Sequence, residues 1–321
     1  MNSTDLSVLK SALSWLQTGH SVAIATVAQT WGSAPRPVGS WLAIRDDGQV
    51  AGSVSGGCVE DDLISRVQTD ILTRSTPEIV VYGVSQEEAA RFGLPCGGNL
   101  RLLVEPKPEL AILEQLLQSI STHQITRRTV NVLTGKSTLS PGNQNDDFIL
   151  TDTEMRTTYG PRWRMIIIGA GQLSLYTADF ALAADFEVIV IDPREEYIEG
   201  INRDDVRFMR GMPDDVLLEL NVDSHTAVVA LTHDPKLDDM ALMEALKSPA
   251  FYVGALGSRK NTLKRKERLL EFDVNQEQVE KLHGPVGLNI GALTPPEIAV
   301  SILAEVIAVK YGIIVPKKTK G

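Results

Sequence analysis

The sequence predicts an α/β protein in two parts. An N-terminal mixed α/β domain covers residues 1–135, a linker covers 136–162, and a doubly wound parallel-sheet domain covers 163–321. Three observations carry this reading. The apolar run Met165–Ile168 leads into Gly169-Ala170-Gly171-Gln172-Leu173-Ser174, a G-x-G-x-x-G pattern with Ser in the last place, and the residues after it suit a helix. A second apolar run, Val188–Ile191, ends in Asp192, about 20 residues beyond the first glycine, where an acid can accept bonds from ribose hydroxyls. The stretch from Thr134 to Arg162 is polar and rich in Gly, Asn, Asp, Thr and Pro, and it separates two regions of regular patterning.

The chain has 321 residues, of which 43% are hydrophobic and 22% charged, the balance of an ordinary globular protein. Its net charge of −10 argues against general nucleic-acid affinity. No apolar run reaches the ~18 residues of a membrane span, and the N-terminus lacks the layout of a signal peptide. A cytoplasmic protein that binds neither nucleic acid nor membrane is therefore expected. The two cysteines, Cys58 and Cys96, lie far apart in sequence; they form no C-x-x-C motif and are expected as thiols.

In chain order, Leu6, Leu9, Leu13 and Leu16 fall at helical spacing before Gly19, and Ser21–Ala28 reads as a strand. The loop Gly32-Ser33-Ala34-Pro35-Arg36-Pro37 holds Arg36 on a stiff, exposed turn, as a solvated charge or an anion ligand. Asp46-Asp47-Gly48 makes a hairpin. Next comes Ser53-Val54-Ser55-Gly56-Gly57-Cys58-Val59-Glu60-Asp61-Asp62, with helical spacing beyond it. Cys58 thus sits at a helix N-terminus, where the dipole favours a thiolate and the following acids oppose it. Cys96 also stands beside two glycines, Gly97 and Gly98, before the strand Leu100–Glu105. Glycine turns present N–H groups to anions and admit a ligand closely. A pair of them, Gly56-Gly57 and Gly97-Gly98, could enclose a phosphorylated ligand with soft sulfur donors aimed at it. The alternative for Cys58 is a small, buried packing residue.

In the second half, the turn Gly169, Gly171 and Gln172 would take a pyrophosphate at the helix N-terminus, and Asp192 would meet a ribose. Arg194 leaves NAD and NADP both open. Thr232-His233-Asp234-Pro235 lies at the carboxyl end of the strand Thr226–Leu231, with His233 an acid–base group or a plain loop residue. Ser258 and Arg259 head a basic run extending to Arg268, either a solvated face or a phosphate contact. Thr294-Pro295-Pro296-Glu297 is a capping box that opens a helix apolar nearly all round, so that helix is expected to be buried in the domain or in a subunit interface.

These pieces together resemble one family, the xanthine dehydrogenase accessory factors (XdhC/CoxI). The resemblance rests on 32–37, Ser53–Asp61, Gly93–Asn99, Ile167–Leu173, Thr232–Pro235, Gly254–Lys260 and Pro285–Glu297, and it runs through both domains in order. It implies a protein that binds molybdenum cofactor, supports its sulfuration by a cysteine desulfurase, and delivers it to a molybdenum hydroxylase client. It also implies a homodimer. On this reading Cys58 and Cys96 face the metal–sulfur end, where either thiol could hold the metal or relay a sulfur atom, while Arg36, Gly56, Gly57, Gly97, Gly98, Gly169, Gly171, Gln172, Asp192, Ser258 and Arg259 bind the cofactor. The cofactor's mono- or dinucleotide form, and binding of NAD(P), stay open. The competing class is an NAD(P)-dependent oxidoreductase with His233 as its acid–base group. The third class is a scaffold that holds no ligand.

Overall fold

The computed structural model describes residues 1–30, 36–83, 99–143, 146–198 and 203–313. The chain divides into two compact units, Met1–Pro161 and Arg162–Gly321.

In the first unit, alternation of side chains along each strand gives the central sheet two buried faces. Strands β1 (Val22–Thr30), β2 (Trp41–Arg45), β3 (Val50–Gly52), β4 (Glu78–Tyr82) and β5 (Leu100–Glu105) form an antiparallel sheet of order β3-β2-β1-β5-β4. Val22 and Ile24 pack with leucines of α1 (Ser3–Gln17) and α3 (Leu110–Ser121), whereas Ala23, Ala25 and Val27 pack with Val59, Leu63 and Val67 of α2 (Cys58–Thr69).

The sequence reads a strand at Thr129–Leu133 and, within the linker 136–162, room for a small hairpin; the structure joins these stretches into one sheet. Strands β6 (Thr126–Asn131), β7 (Ser137–Pro141), β8 (Ile149–Leu150) and β9 (Glu154–Tyr159) form a second antiparallel sheet of order β7-β6-β9-β8. Its polar composition conceals an alternating buried face, which on β6 is Thr126, Arg128 and Val130. Arg128 is 1% exposed and grips Glu105 of β5 in a two-pronged pair at 2.9 and 2.6 Å, with Ser137 Oγ accepting a third bond. The guanidinium also lies 5.7 Å from the centre of the Trp41 ring.

The second unit is a six-stranded parallel sheet. Its strands are β10 (Arg164–Ile168), β11 (Glu187–Ile191), β12 (Arg207–Met209), β13 (Thr226–Ala230), β14 (Tyr252–Ala255) and β15 (Leu282–His283), ordered β12-β11-β10-β13-β14-β15. In chain order within the unit this is 3-2-1-4-5-6, the doubly wound Rossmann arrangement. The sequence places a final strand or loop at 285–290; it is a loop, and the last strand of the sheet is Leu282–His283 just before it. Its helices are α4 (Gln172–Ala183), the short α5 (Glu195–Ile198), α6 (Pro213–Glu219), α7 (Pro235–Lys247), α8 (Arg259–Glu271), α9 (Gln276–Glu280) and α10 (Pro295–Lys310). One face of the sheet is covered by α6, α7 and α8, the other by α4 and α10. No helix among the described residues is long and apolar enough to cross a membrane.

α10 inserts a carboxylate under the sheet. Glu305 is 6% exposed and accepts bonds from Tyr252 Oη at 2.6 Å and Gly287 N–H at 2.7 Å, with His283 Nδ1 at 3.4 Å. Burial pushes its carboxyl up, but the bonds from His283, Tyr252 and Gly287 outweigh that and hold it below the ordinary glutamate value.

Both buried carboxylates can be tested by substitution. Arg128→Met leaves Glu105 as an unpaired buried charge and is expected to cost about 3–5 kcal/mol, read by urea unfolding through tryptophan emission. A carboxyl depressed in the folded state contributes stability above its unfolded value and loses it as pH falls. The melting temperature of Glu305→Gln should therefore lie below wild type at pH 7, and the gap should close as pH drops below 4.5. A gap that stays constant to pH 3 would remove Glu305 from this role.

Candidate functional site

In the first unit the chemistry centres on the start of α2. Cys58 is its first residue and is an exposed, free thiol, so the buried-packing alternative does not hold. The turn before it closes around Glu60, the third helical residue. Glu60 Oε1 accepts from Ser53 Oγ (2.8 Å) and from the N–H groups of Val54 (2.9 Å), Ser55 (2.8 Å) and Gly56 (2.9 Å); Oε2 accepts from Ser55 Oγ and from Gly57 N–H (2.8 Å). Burial opposes ionisation of Glu60, yet this set of donors holds its carboxyl well below the usual range.

The N–H groups of Gly56 and Gly57 are thus committed to the chain's own carboxylate rather than offered to an external anion. Gly56 takes φ +89°, a conformation that favours glycine, and no atom lies within 4 Å of where a Cβ at Gly56 or Gly57 would stand. The sequence counts Glu60 as a charge that opposes the thiolate and suits the first helical turn. An acid at the third helical position, the capping-box position, is the signal that finds its bond to Gly57.

Cys96, Gly97 and Gly98 lie outside the described residues, as do Gly32–Pro35 of the other loop. Arg36 is half-buried rather than held on an exposed turn, and its Nε is buried with no partner among the described residues. Its charge acts on Asp5 of α1, whose carboxyl burial pushes up and Arg36 pulls back. No group of three or more His, Cys, Asp or Glu able to hold a metal ion occurs among the described residues. Cys58 is the one expected metal ligand that they include.

In the second unit the crevice lies at the carboxyl ends of β10 and β13, where the strand order reverses and open sheets take ligands. Gly169 has φ +99°, and a Cβ there would stand 2.8 Å from Thr232 Cγ2 and 3.1 Å from its Cα. The β13 loop therefore approaches as closely as a glycine permits. Gly171 caps α4, with open space where its side chain would be, and Gln172 is exposed as the first helical residue. Ser174, in the third glycine place, is fully buried.

Asp192 is 0% exposed and bonds Ala170 N–H at 2.8 Å. It also receives Arg194 through the backbone N–H (3.0 Å), Nε (2.8 Å) and Nη2 (2.8 Å). Burial raises the Asp192 carboxyl, and the Arg194 bonds followed by that of Ala170 bring it below the ordinary value.

His233 is exposed at φ +62°, a left-handed conformation that a non-glycine residue adopts at a cost. Its neighbours are engaged elsewhere: Thr232 Oγ1 donates to Asp238 (2.7 Å), and Asp234 caps α7 by accepting from Lys236 N–H (2.9 Å). Ser258 caps α8 through Asn261 N–H at 3.1 Å, and Arg259 follows, exposed. The basic run is not one solvated face. Arg265 is 7% exposed and binds Asp238 (3.0 Å), Asp239 (2.8 Å) and Leu256 O (3.0 Å), while Arg268 also binds Asp239.

Comparison with known proteins follows the same division. Residues 165–306 match the XdhC Rossmann domain, and residues 15–83 match the XdhC and CoxI family. The molybdenum cofactor insertion chaperone PaoD of Escherichia coli is 26% identical over 94% of this chain and 88% of its own length. A probable xanthine dehydrogenase subunit of Bacillus subtilis is 27% identical over 91% and 94%. A crystal structure described as a xanthine dehydrogenase from Bacillus halodurans superposes with a TM-score of 0.75 at 25% identity, covering 99% of this chain and 98% of that one. Together with the glycine turns and the 3-2-1-4-5-6 sheet, these matches establish that the chain belongs to the XdhC and CoxI family.

Proposed function

We propose that this protein binds molybdenum cofactor as cargo, supports its sulfuration, and delivers it to a molybdenum hydroxylase of the xanthine dehydrogenase type. The observation that carries the proposal is Cys58, a free thiol presented to solvent at the head of a helix by a turn that its own chain has closed. The cargo brings a dithiolene to the metal, so a single soft protein donor is enough to engage it. The names of the relatives support this reading, one being a molybdenum cofactor insertion chaperone and another a probable component of a xanthine dehydrogenase. Cys58 would contact the metal–sulfur end or relay a sulfur atom, and Cys96 is proposed as its companion. Taken by itself, the turn at Gly169, Gly171 and Gln172 of the second unit would take a phosphate group at its helix N-terminus. A cysteine desulfurase, the client enzyme and a second copy of the chain are the partners this reading requires, in the cytoplasm.

Glu60 has a defined part in the scheme. By accepting the bonds that the turn donates, it fixes Cys58 at the helix head and leaves the thiol as the group a ligand meets. Its charge also keeps a free anion out of the turn.

Cys58→Ala, co-expressed with the molybdenum pathway and purified without oxygen, is expected to retain at least tenfold less metal-bound pterin than wild type at unchanged melting temperature. Equal retention together with equal activation of the client enzyme would discard the thiol's role. Glu60→Gln turns an acceptor of six bonds into a group with one acceptor oxygen and a mismatched donor. It is expected to destabilise the first unit by about 1.5–3 kcal/mol and to change the alkylation rate of Cys58 several-fold, whereas Asp61→Asn should leave that rate near wild type. The rate is read by mass spectrometry with iodoacetamide.

A further inference from the structure

The acid at the end of the second Rossmann strand is the group that takes the two hydroxyls of a nucleotide ribose. In this chain both of its oxygens are occupied. Oδ1 accepts the backbone N–H and Nε of Arg194, and Oδ2 accepts Ala170 N–H and Arg194 Nη2. An ionised carboxylate offers about four lone-pair directions, so Asp192 is saturated, and its side chain has no exposed surface. Arg194 is fixed a second time, with its guanidinium carbon 3.9 Å from the centre of the Tyr197 ring. A ribose diol can reach Asp192 only by breaking the paired bonds and the stack together. Nor does the cation serve as a receptor for a 2′-phosphate. Asp192 already neutralises it, Asp234 adds its field, and Glu195 and Glu196 follow in sequence.

We propose that Arg194 is a specificity-determining residue: by masking Asp192 it excludes nicotinamide dinucleotides from a crevice of the shape that usually binds them. The crevice then serves ligands that are not held by a ribose diol. A pterin ending in a phosphate meets that condition, and in that respect the inference rests on the carrier reading.

The experiment is a titration of the full chain with NADH, followed by energy transfer from tryptophan and by calorimetry. Arg194→Ala exposes the Asp192 carboxylate and is expected to bind NADH at least about tenfold more tightly than wild type, the worth of one or two hydrogen bonds to a charged acceptor. Asp192→Asn added to Arg194→Ala should abolish the gain. Tyr197→Ala removes only the stack from a half-exposed ring and should give a smaller gain of a few-fold; it decides the matter if Arg194→Ala does not fold. No gain in any folded variant, or wild-type affinity for NADH equal to that of Arg194→Ala, overturns the proposal. The titration involves no molybdenum, so its failure leaves the Cys58 result intact, and failure of the Cys58 test leaves the masking intact.

Discussion

The two glycine turns that lead into α2 and α4 are each tied to a carboxylate of their own chain. Glu60 gathers the N–H groups and hydroxyls of residues 53–57, and Asp192 joins Ala170 of the Gly169 turn to Arg194. Backbone donors that point inward in a tight turn must find an acceptor, and an ionised one gives the stronger bonds. Once the acceptor is internal, the turn keeps its shape without a ligand. The chemistry is then left to what stands beside the turn, a thiol in one unit and an open helix end in the other.

This arrangement alters what the glycines are for. A glycine-rich loop ahead of a helix is commonly read as an anion cradle. At residues 53–57 that function is taken by Glu60, and Gly56 supplies the positive-φ backbone (+89°) of the turn that closes on the carboxylate. At Gly169 the missing side chain admits the backbone of Thr232, whereas at Gly171 it leaves empty space. Glycines in similar motifs therefore do different things, and only their surroundings separate them.

The Rossmann half was legible because its signals are local. Apolar runs of four or five residues, a glycine turn and an acid at fixed spacing specify a βαβ unit without reference to anything distant. The second sheet of the first unit was legible only in part, as a strand at Thr129–Leu133 and a small hairpin, because several of its buried positions are polar. On β6 the inward row is Thr126, Arg128 and Val130, and on β9 it is Met155, Thr157 and Tyr159. Arg128 is buried only because Glu105, 23 residues away, lies opposite it. No pattern confined to either strand reports such a partnership, so the threonine-rich strand β9 fell within the stretch read as a linker. Arg265 went unread for the same reason: a basic run reads as solvated until Asp238 and Asp239 of another helix are seen beneath it. The site residues divide likewise. The place of Cys58 at a helix start was evident from sequence, whereas the saturation of Asp192 depends on a side chain two positions later folding back on it.

A hydride-transfer enzyme on this fold needs two things from the second unit: a carboxylate free to anchor the nucleotide's ribose, and an acid–base group oriented by a neighbour. The first is masked by Arg194. The second would be His233, but the polar residues on either side of it act as helix cap and loop tie, and its ring stands exposed in a strained backbone conformation. A carrier needs neither. Its cargo supplies the reactive metal and must leave again, so an accessible thiol and a crevice that does not clamp a ribose suit transfer better than turnover. The masked carboxylate that weakens the oxidoreductase reading is also what leaves the crevice without a ribose clamp, and the exposed thiol stands on a turn closed by a second carboxylate, Glu60.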